Sequence, residues 1–109
     1  MPFIIKILGA GATIANAKTG LYTATPAPPG LGAIVQNVRL VNTAAASGTV
    51  NLFFKPNGGS QIRILGKHKP VVAGDILVVK PELTIGPSDA IEVTTSQVMD
   101  FVVSGVEKV

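Results

Sequence analysis

Apolar and polar residues alternate over short segments along most of the chain, and glycine, proline or asparagine separates one segment from the next. A period of two, bounded by turn-forming residues, is typical of short β-strands with one buried face. No stretch shows the apolar spacing of an amphipathic helix. We predict strands at intervals of about ten residues, with the main segments at 3–8, 21–25, 33–42, 48–55, 61–65, 75–80, 90–95 and 99–106.

The segments at 48–55 and 61–65 form the clearest hairpin in the chain. An Asn-Gly pair lies between them, and this pair supplies the positive φ that a tight hairpin turn requires. Alternation within the first segment predicts that Phe54 faces the core and that Phe53 faces outward.

The segment at 33–42 is the longest strand candidate. It places Ile34, Val38 and Leu40 on one face, which we take as the buried face, and Arg39 on the other. Residues 26–32, in contrast, are rich in proline and glycine. Because proline lacks the N–H that a central ladder needs, we expect a stiff loop there.

These elements together predict an all-β fold, a single antiparallel β-sandwich of jelly-roll or immunoglobulin-like type. One domain is expected over residues 1–109, because a chain of this length has room for one core. Residues 1–17 imitate a secretory signal, but no positive side chain precedes the apolar run and Lys6 interrupts it. We therefore interpret residues 1–19 as an N-terminal strand or arm of the domain.

Composition narrows the range of functions. The chain has no cysteine, one histidine and no tryptophan, which excludes disulfides, thiolate metal sites and centres built from two imidazoles. Charged residues make up 14% of the chain and apolar residues 47%, a balance that argues against disorder and suggests that copies of the chain cover part of the surface. We expect a protein that is not an enzyme and uses no cofactor or metal. We expect no membrane partner either, because no apolar run reaches the roughly 18–20 residues of a membrane span.

The net charge of +3 conceals an asymmetry along the chain. Residues 1–74 contain seven basic residues and no acidic one, whereas residues 75–109 contain six acidic residues and two lysines. This division favours a basic face toward an acidic partner or pairing between copies, unless the two halves interleave in the fold and the charges mix. The bases are spaced singly and few aromatic residues accompany them, so nucleic acid is not an expected partner.

Three groups of residues suggest chemistry, and each has a simpler structural explanation. Residues 9–14 follow a strand and contain two glycines, but the third glycine and the acidic ribose partner of a dinucleotide-binding loop are missing. His68 is the one imidazole, and no triad order can be argued around it in its basic loop. The acidic residues, Asp75 and Asp89 among them, could supply a carboxylate pair for glycoside hydrolysis or oxygen ligands for calcium, but none falls in a recognised spacing. Asp75 and Asp89 lie in glycine-containing turns, where aspartate commonly bonds the local backbone.

The residues that favour a protein contact are one outward aromatic residue, the bases near it and the apolar N-terminal segment. Phe53 beside polar and charged neighbours suits a protein interface, and cover by a second sheet or by the N-terminal arm within the domain explains it equally well. The apolar N-terminal segment can add a strand to a neighbouring copy. The predicted contact residues are Phe3, Ile5, Phe53, Lys55, Arg63, Lys67, His68 and Lys69.

Six segments carry a pattern of strands and turns that resembles small β-sandwich virion proteins of tailed bacteriophages. A Tyr-Thr strand and a Pro/Gly loop precede a strand that ends in Asn-Thr, an Ala-Gly-Asp turn follows, and a Val-Val-Ser-Gly strand closes the pattern. The proline-rich loop and the longer apolar N terminus depart from it. The segments are 21–24, 33–43, 48–54, 73–75, 83–91 and 99–107, so the resemblance spans residues 21–107.

The resemblance implies a non-enzymatic virion structural protein of the capsid decoration or cement type, which stabilises the head through protein–protein contacts. Neck and tail accessory proteins share the pattern, and an adhesion or carbohydrate-binding module is the alternative from another functional class. The implied partners are other virion proteins, chiefly the major capsid protein, and further copies of the chain, with a homotrimer favoured. The implied location is the virion, assembled in the host bacterial cytoplasm, and no catalytic residue or cofactor is implied.

Overall fold

The structure is a computed structural model that describes residues 3–27 and 30–108, and for residues 3–6 the backbone alone. The described part contains ten β-strands and no helix, so no helix in it could cross a membrane. The predicted all-β fold is therefore confirmed. The strands are β1 (Phe3–Ala12), β2 (Lys18–Thr23), β3 (Gly32–Asn42), β4 (Gly48–Lys55), β5 (Ile62–Arg63), β6 (Lys69–Val71), β7 (Ile76–Val79), β8 (Leu83–Ile85), β9 (Ala90–Thr95) and β10 (Met99–Lys108).

The strands form two antiparallel sheets that enclose the core between them. In sheet A the order is β1-β10-β3-β7, and β8 also pairs with β3. In sheet B the order is β2-β9-β4-β5, and β6 also pairs with β4. In each sheet, two short strands therefore share one side of a long strand.

Successive strands are distributed between the sheets as in a jelly roll. β7 and β8 pair with different stretches of β3, and β5 and β6 with different stretches of β4, so each pair acts as one interrupted strand. Counted this way there are eight strands: β5 and β6 become strand 5, β7 and β8 become strand 6, β9 becomes strand 7 and β10 becomes strand 8. Their orders are then 1-8-3-6 in sheet A and 2-7-4-5 in sheet B, the two-sheet arrangement of a jelly roll. An immunoglobulin-like sandwich holds its first two strands in one sheet, whereas β1 and β2 lie in different sheets. The structure thus selects the jelly roll from the two predicted types.

The core is built from alternate residues of the long strands. Every second side chain of a strand points inward, because successive residues point to opposite faces. These inward apolar side chains are almost completely buried, and each contributes about 1.5–3 kcal/mol to folding. They include Val35, Val38, Leu40, Val50, Leu52, Ile91, Val93, Met99, Phe101 and Val103.

One predicted face is wrong, because β3 contains a bulge. The register between β3 and β10 shifts between Ser104 and Gly105, and Gln36 is the extra residue on β3. A shift of one residue turns the side chains beyond it to the other face. Val35 is consequently buried, while Ile34, which the alternation predicts on the buried face, is 38% exposed on the outside of sheet A.

β1 is longer than predicted. The glycines that follow residue 8 are expected to end the strand, but pairing with β10 continues to Ala12 after a bulge between Ile7 and Gly9. A Cβ at Gly9 would overlap the backbone oxygen of Leu21, so the glycine allows β1 to approach β2 of the other sheet. This glycine therefore serves sheet packing, and the segment is a strand rather than a nucleotide-binding loop.

The predicted hairpin is confirmed, with a shorter second strand. β4 pairs with β5 through Phe53 opposite Arg63, and Gly58 in the turn has a φ of 73°, as the Asn-Gly pair requires. Of the predicted segment 61–65, two residues form the strand. The pairing continues past it through one backbone hydrogen bond, from the N–H of Ile64 to the oxygen of Leu52 at 2.8 Å.

Candidate protein-contact surface

The β4–β5 hairpin places Phe53 and Arg63 side by side on the outside of sheet B. Phe54 packs against the core, so the alternation predicted along β4 is confirmed. The guanidinium carbon of Arg63 lies 5.0 Å from the centroid of the Phe53 ring, within the range of a cation–π interaction. Arg63 therefore contributes to the cover that leaves Phe53 half-buried.

Asn51 connects this hairpin to the basic loop that precedes β6. Its Oδ1 accepts hydrogen bonds from Nη1 of Arg63 at 2.9 Å and from the backbone N–H of His68 at 3.0 Å, and its Nδ2 lies 3.4 Å from Nδ1 of His68. Asn51 is only 8% exposed, and a buried amide without partners costs about 1–3 kcal/mol. These contacts fix His68, which has a φ of 54°, against β4.

The bases near Asn51 lie on β4 and on the chain that follows it along the edge of sheet B. Glu92 on the neighbouring β9 is already engaged, by Lys18 at 3.6 Å and by Gln61 at 2.8 Å. Within the described chain, neither Lys67 nor Lys69 forms a salt bridge. Six of the eight predicted contact residues are thus brought to this region, and we call them the basic surface: Phe53, Lys55, Arg63, Lys67, His68 and Lys69.

The other two predicted contact residues lie in sheet A. Phe3 and Ile5 belong to β1, opposite Lys108 and Val106 of β10. β1 is an edge strand, and an edge strand can pair with another chain. The side chains of Phe3 and Ile5 lie outside the described part of the structure, so their contact with a partner stays a prediction.

The two halves of the chain interleave in both sheets. β10 lies between β1 and β3, and β9 lies between β2 and β4. The acidic second half is therefore distributed among the strands of the basic first half, and Lys18 and Glu92 pair across that division. The basic surface remains positive because its residues come from the single stretch 53–69.

The candidate catalytic side chains have structural partners. The imidazole of His68 faces the amide of Asn51. Asp75 and Asp89 each accept a hydrogen bond at 2.8 Å from a backbone N–H of their own turn, as predicted, and Asp89 accepts another from the turn of the β4–β5 hairpin. Across residues 3–27 and 30–108, no three His, Asp or Glu side chains lie together as metal ligands.

The sequence pattern assigns no role to Glu107, which is buried near the end of β10 with 3% of its surface exposed. Its Oε1 accepts hydrogen bonds from the hydroxyl and the backbone N–H of Thr25. Burial raises the pKa of Tyr22 well above its ordinary value, and the neighbouring Glu107 carboxylate raises it further. Glu107 therefore ties the start of the proline-rich loop to sheet A, and Tyr22 stays protonated beside it.

The outside of sheet A is a second surface, which the sequence pattern does not reveal. We call it face A and define it by five large apolar side chains that are 37–57% exposed: Ile7, Ile34, Ile76, Val78 and Val102. They lie on β1, β3, β7 and β10, so they extend across the whole sheet. Polar residues, among them Arg39 and Asp100, lie between them, and exposed apolar side chains that group on one face commonly mark a contact.

No protein-family model matches the sequence, and no curated protein matches it. Solved structures of infectious bursal disease virus contain chains of similar fold. For the Gt strain the TM-score is 0.52 at 9% identity, and for the Gx strain it is 0.50 at 12% identity. In both cases 97% of our chain is covered, and our chain spans 30% of the other. At this identity the likeness establishes the shared β-sandwich fold.

Proposed function

We propose that the protein is a non-enzymatic structural component of a virus particle and acts through protein–protein contacts. A jelly roll that matches chains of a virus structure over 97% of its length is the observation that carries this proposal. Jelly rolls are common in viral capsid and lectin domains, and a fold alone does not define a function. The structural partners of His68, Asp75 and Asp89 add support, because they leave these side chains tied to the backbone or to an amide.

Within that class, we propose a capsid decoration or cement protein that binds the major capsid protein of a tailed bacteriophage. The support is the pattern of strands and turns over residues 21–107. A decoration protein needs a stable core and contact surfaces rather than a deep pocket, and the fold provides both. The homotrimer implied by the same resemblance stays a prediction.

The basic surface is the part of the molecule that we assign to the particle contact. Lys67 and Lys69 are exposed and form no salt bridge within the described chain, and Asn51 accepts a hydrogen bond from the backbone of His68, which lies between them. Exposed positive charges attract an acidic partner surface and accelerate its association. Binding is therefore expected to weaken as salt rises from about 0.1 M to about 1 M, where screening shortens from about 10 Å to about 3 Å.

The test uses particles of the source virus that were assembled with this gene disrupted. Purified protein is added back, and bound protein is measured after sedimentation of the particles. We expect saturable binding, raised thermal stability of the head, and loss of binding in the Lys67→Glu/Lys69→Glu variant. The Lys67→Arg/Lys69→Arg variant keeps both charges and is the matched control, which we expect to bind as the unmodified protein does.

The same particles separate the alternatives by location. Gold-labelled antibody on the head supports decoration, whereas label confined to the neck or tail supports an accessory protein there. Protein that remains in the supernatant of every preparation contradicts the virion role altogether.

A carbohydrate-binding module is less well supported by the structure. Such a module stacks exposed aromatic rings on sugars, and the two candidate rings are Phe53 and Tyr22. Arg63 lies over Phe53, and Tyr22 packs against the core with a buried hydroxyl. Binding to a glycan panel that is lost in Phe53→Ala would favour this alternative over the virion role.

A further inference from the structure

Face A leaves both apolar and charged groups without partners. Its five defining side chains are all more than a third exposed. Arg39 and Asp100 are exposed among them, and within the described chain neither forms a salt bridge or a side-chain hydrogen bond. A surface that mixes exposed apolar side chains with charges of both signs can be complementary to itself.

The register of sheet A shows how two such surfaces match. Asp100 lies beside Val41 on one outward row, and Val102 lies beside Arg39 on the next. These four residues occupy the corners of a rectangle of about 4.8 by 6.6 Å, with Arg39 and Asp100 on one diagonal. The other diagonal joins Val41 to Val102. A two-fold axis that lies in the plane of contact and close to this diagonal brings Arg39 of each copy opposite Asp100 of the other. Val41 and Val102 then meet their own copies near the axis.

The size of the surface fits a weak but specific dimer. Four strands about 4.8 Å apart, over about eight residues of about 3.3 Å each, cover roughly 500 Å² per copy. Because the strands of the two copies cross and the axis lies toward one end of the sheet, only part of this area is covered, so the contact is smaller than the roughly 1,200–2,000 Å² of stable complexes and fits weak association. Strands that cross at this axis are nearer to the orthogonal class of sheet packing than to the aligned class.

We propose that face A binds a second copy of this chain in a two-fold, face-to-face dimer. The partner surface is identified by its chemistry. It is a sheet face with exposed apolar side chains and with one basic and one acidic side chain at positions that the two-fold axis relates to Asp100 and Arg39. This inference does not rest on the virion role, and it names a dimer where the sequence resemblance implies a trimer. The basic surface lies on the other sheet, so the dimer leaves it accessible.

Sedimentation equilibrium of the purified chain across the micromolar range tests the proposal. We expect the unmodified protein to approach the mass of a dimer at high micromolar concentration. Val102→Lys and Val78→Lys each place a charge in the contact and are expected to weaken association at least tenfold. Val98→Lys is the matched control, since Val98 is 45% exposed but lies between β9 and β10, outside face A.

Two variants are used because either substitution alone could affect folding, and circular dichroism shows which variants retain the β-sandwich. A folded Val78→Lys or Val102→Lys variant that stays monomeric beside a dimeric Val98→Lys variant supports the proposal. A strict monomer of the unmodified protein would overturn it. A trimer, or any oligomer that both face A variants leave intact, would also overturn it.

Discussion

The outsides of the two sheets satisfy their side chains in opposite ways. On sheet B, which we call face B, Asn51, Arg63 and Glu92 all bond to neighbours within the same chain. On face A, Val102 and its apolar neighbours are exposed, and Arg39 forms no such bond in the described chain. A surface whose polar groups are already paired is stable in water, whereas an exposed apolar sheet gains from burial. This difference is the basis of our proposal that a second copy covers face A, whereas the basic surface of sheet B is assigned to another partner.

The largest expected effect comes from removing the bulge that shapes face A. A Cβ at Gly105 would overlap the backbone oxygen of Ile34, so Gly105→Ala forces the two strands apart. We expect the free energy of unfolding in urea to fall by about 3 kcal/mol. Gly20→Ala is the control, since nothing lies near a Cβ there, and a change within about 0.5 kcal/mol is expected. Equal effects of the two variants would show that the bulge is not a fixed feature.

The next effect compares the same residue type on the two faces. Asn51→Ala removes the acceptor of both Arg63 and the His68 backbone N–H, so we expect a loss of about 2 kcal/mol in the free energy of unfolding. Asn37→Ala on sheet A removes a half-exposed amide with no side-chain hydrogen bond in the described chain and is expected to change it by less than about 0.5 kcal/mol. Similar losses at both positions would contradict the contrast between the faces.

A smaller effect sharpens the assignment of face A. Arg39→Asp and Asp100→Arg each place like charges opposite one another across the proposed dimer, and each is expected to weaken dimerisation about tenfold, equivalent to about 1.4 kcal/mol. The double variant restores opposite charges in reversed positions and is expected to recover most of the affinity. If the double variant instead loses affinity by the product of the two single losses, the two side chains do not meet across the dimer.

The smallest effect concerns the interior between the faces. The pKa of Tyr22 is raised in the fold above its unfolded value near 10. The folded state therefore holds its proton more tightly, and the stability this contributes is lost as pH rises above about 10. We expect the Tm of the unmodified protein to fall more steeply there than that of Tyr22→Phe. Because Tyr22 is the one tyrosine, the ultraviolet absorbance of tyrosinate reports its ionisation directly. Ionisation at the same pH in the folded and the urea-unfolded chain would contradict the assignment.

Local pattern was sufficient to predict the long strands and the hairpin, because alternation and an Asn-Gly turn are short-range signals. It did not predict the short strands β6 and β8, and it placed β2 at 21–25 where the structure has Lys18–Thr23. It was also sufficient for the turn roles of Asp75 and Asp89. Glu107 was within reach of the same logic, since it has the parity of the buried Met99 and Phe101 along β10.

What the sequence could not predict depends on contacts between distant segments. The bulge that exposes Ile34 forms opposite Gly105, about 70 residues further along the chain, where β3 and β10 pair. The role of Asn51 likewise depends on the loop that contains His68, which returns to β4 only in the fold. An alternation pattern has no information on either contact, so face A was missed and the basic surface was recognised without the residue that orders it.

Photo-cross-linking on assembled particles tests the division between the two surfaces most directly. Benzoylphenylalanine is introduced at Val102 in one preparation and at Lys67 in another, and the cross-linked products are identified by mass spectrometry. The account predicts that position 102 cross-links to a second copy of this chain and that position 67 cross-links to a different virion protein. The same partner at both positions, or a foreign partner at position 102, would contradict it.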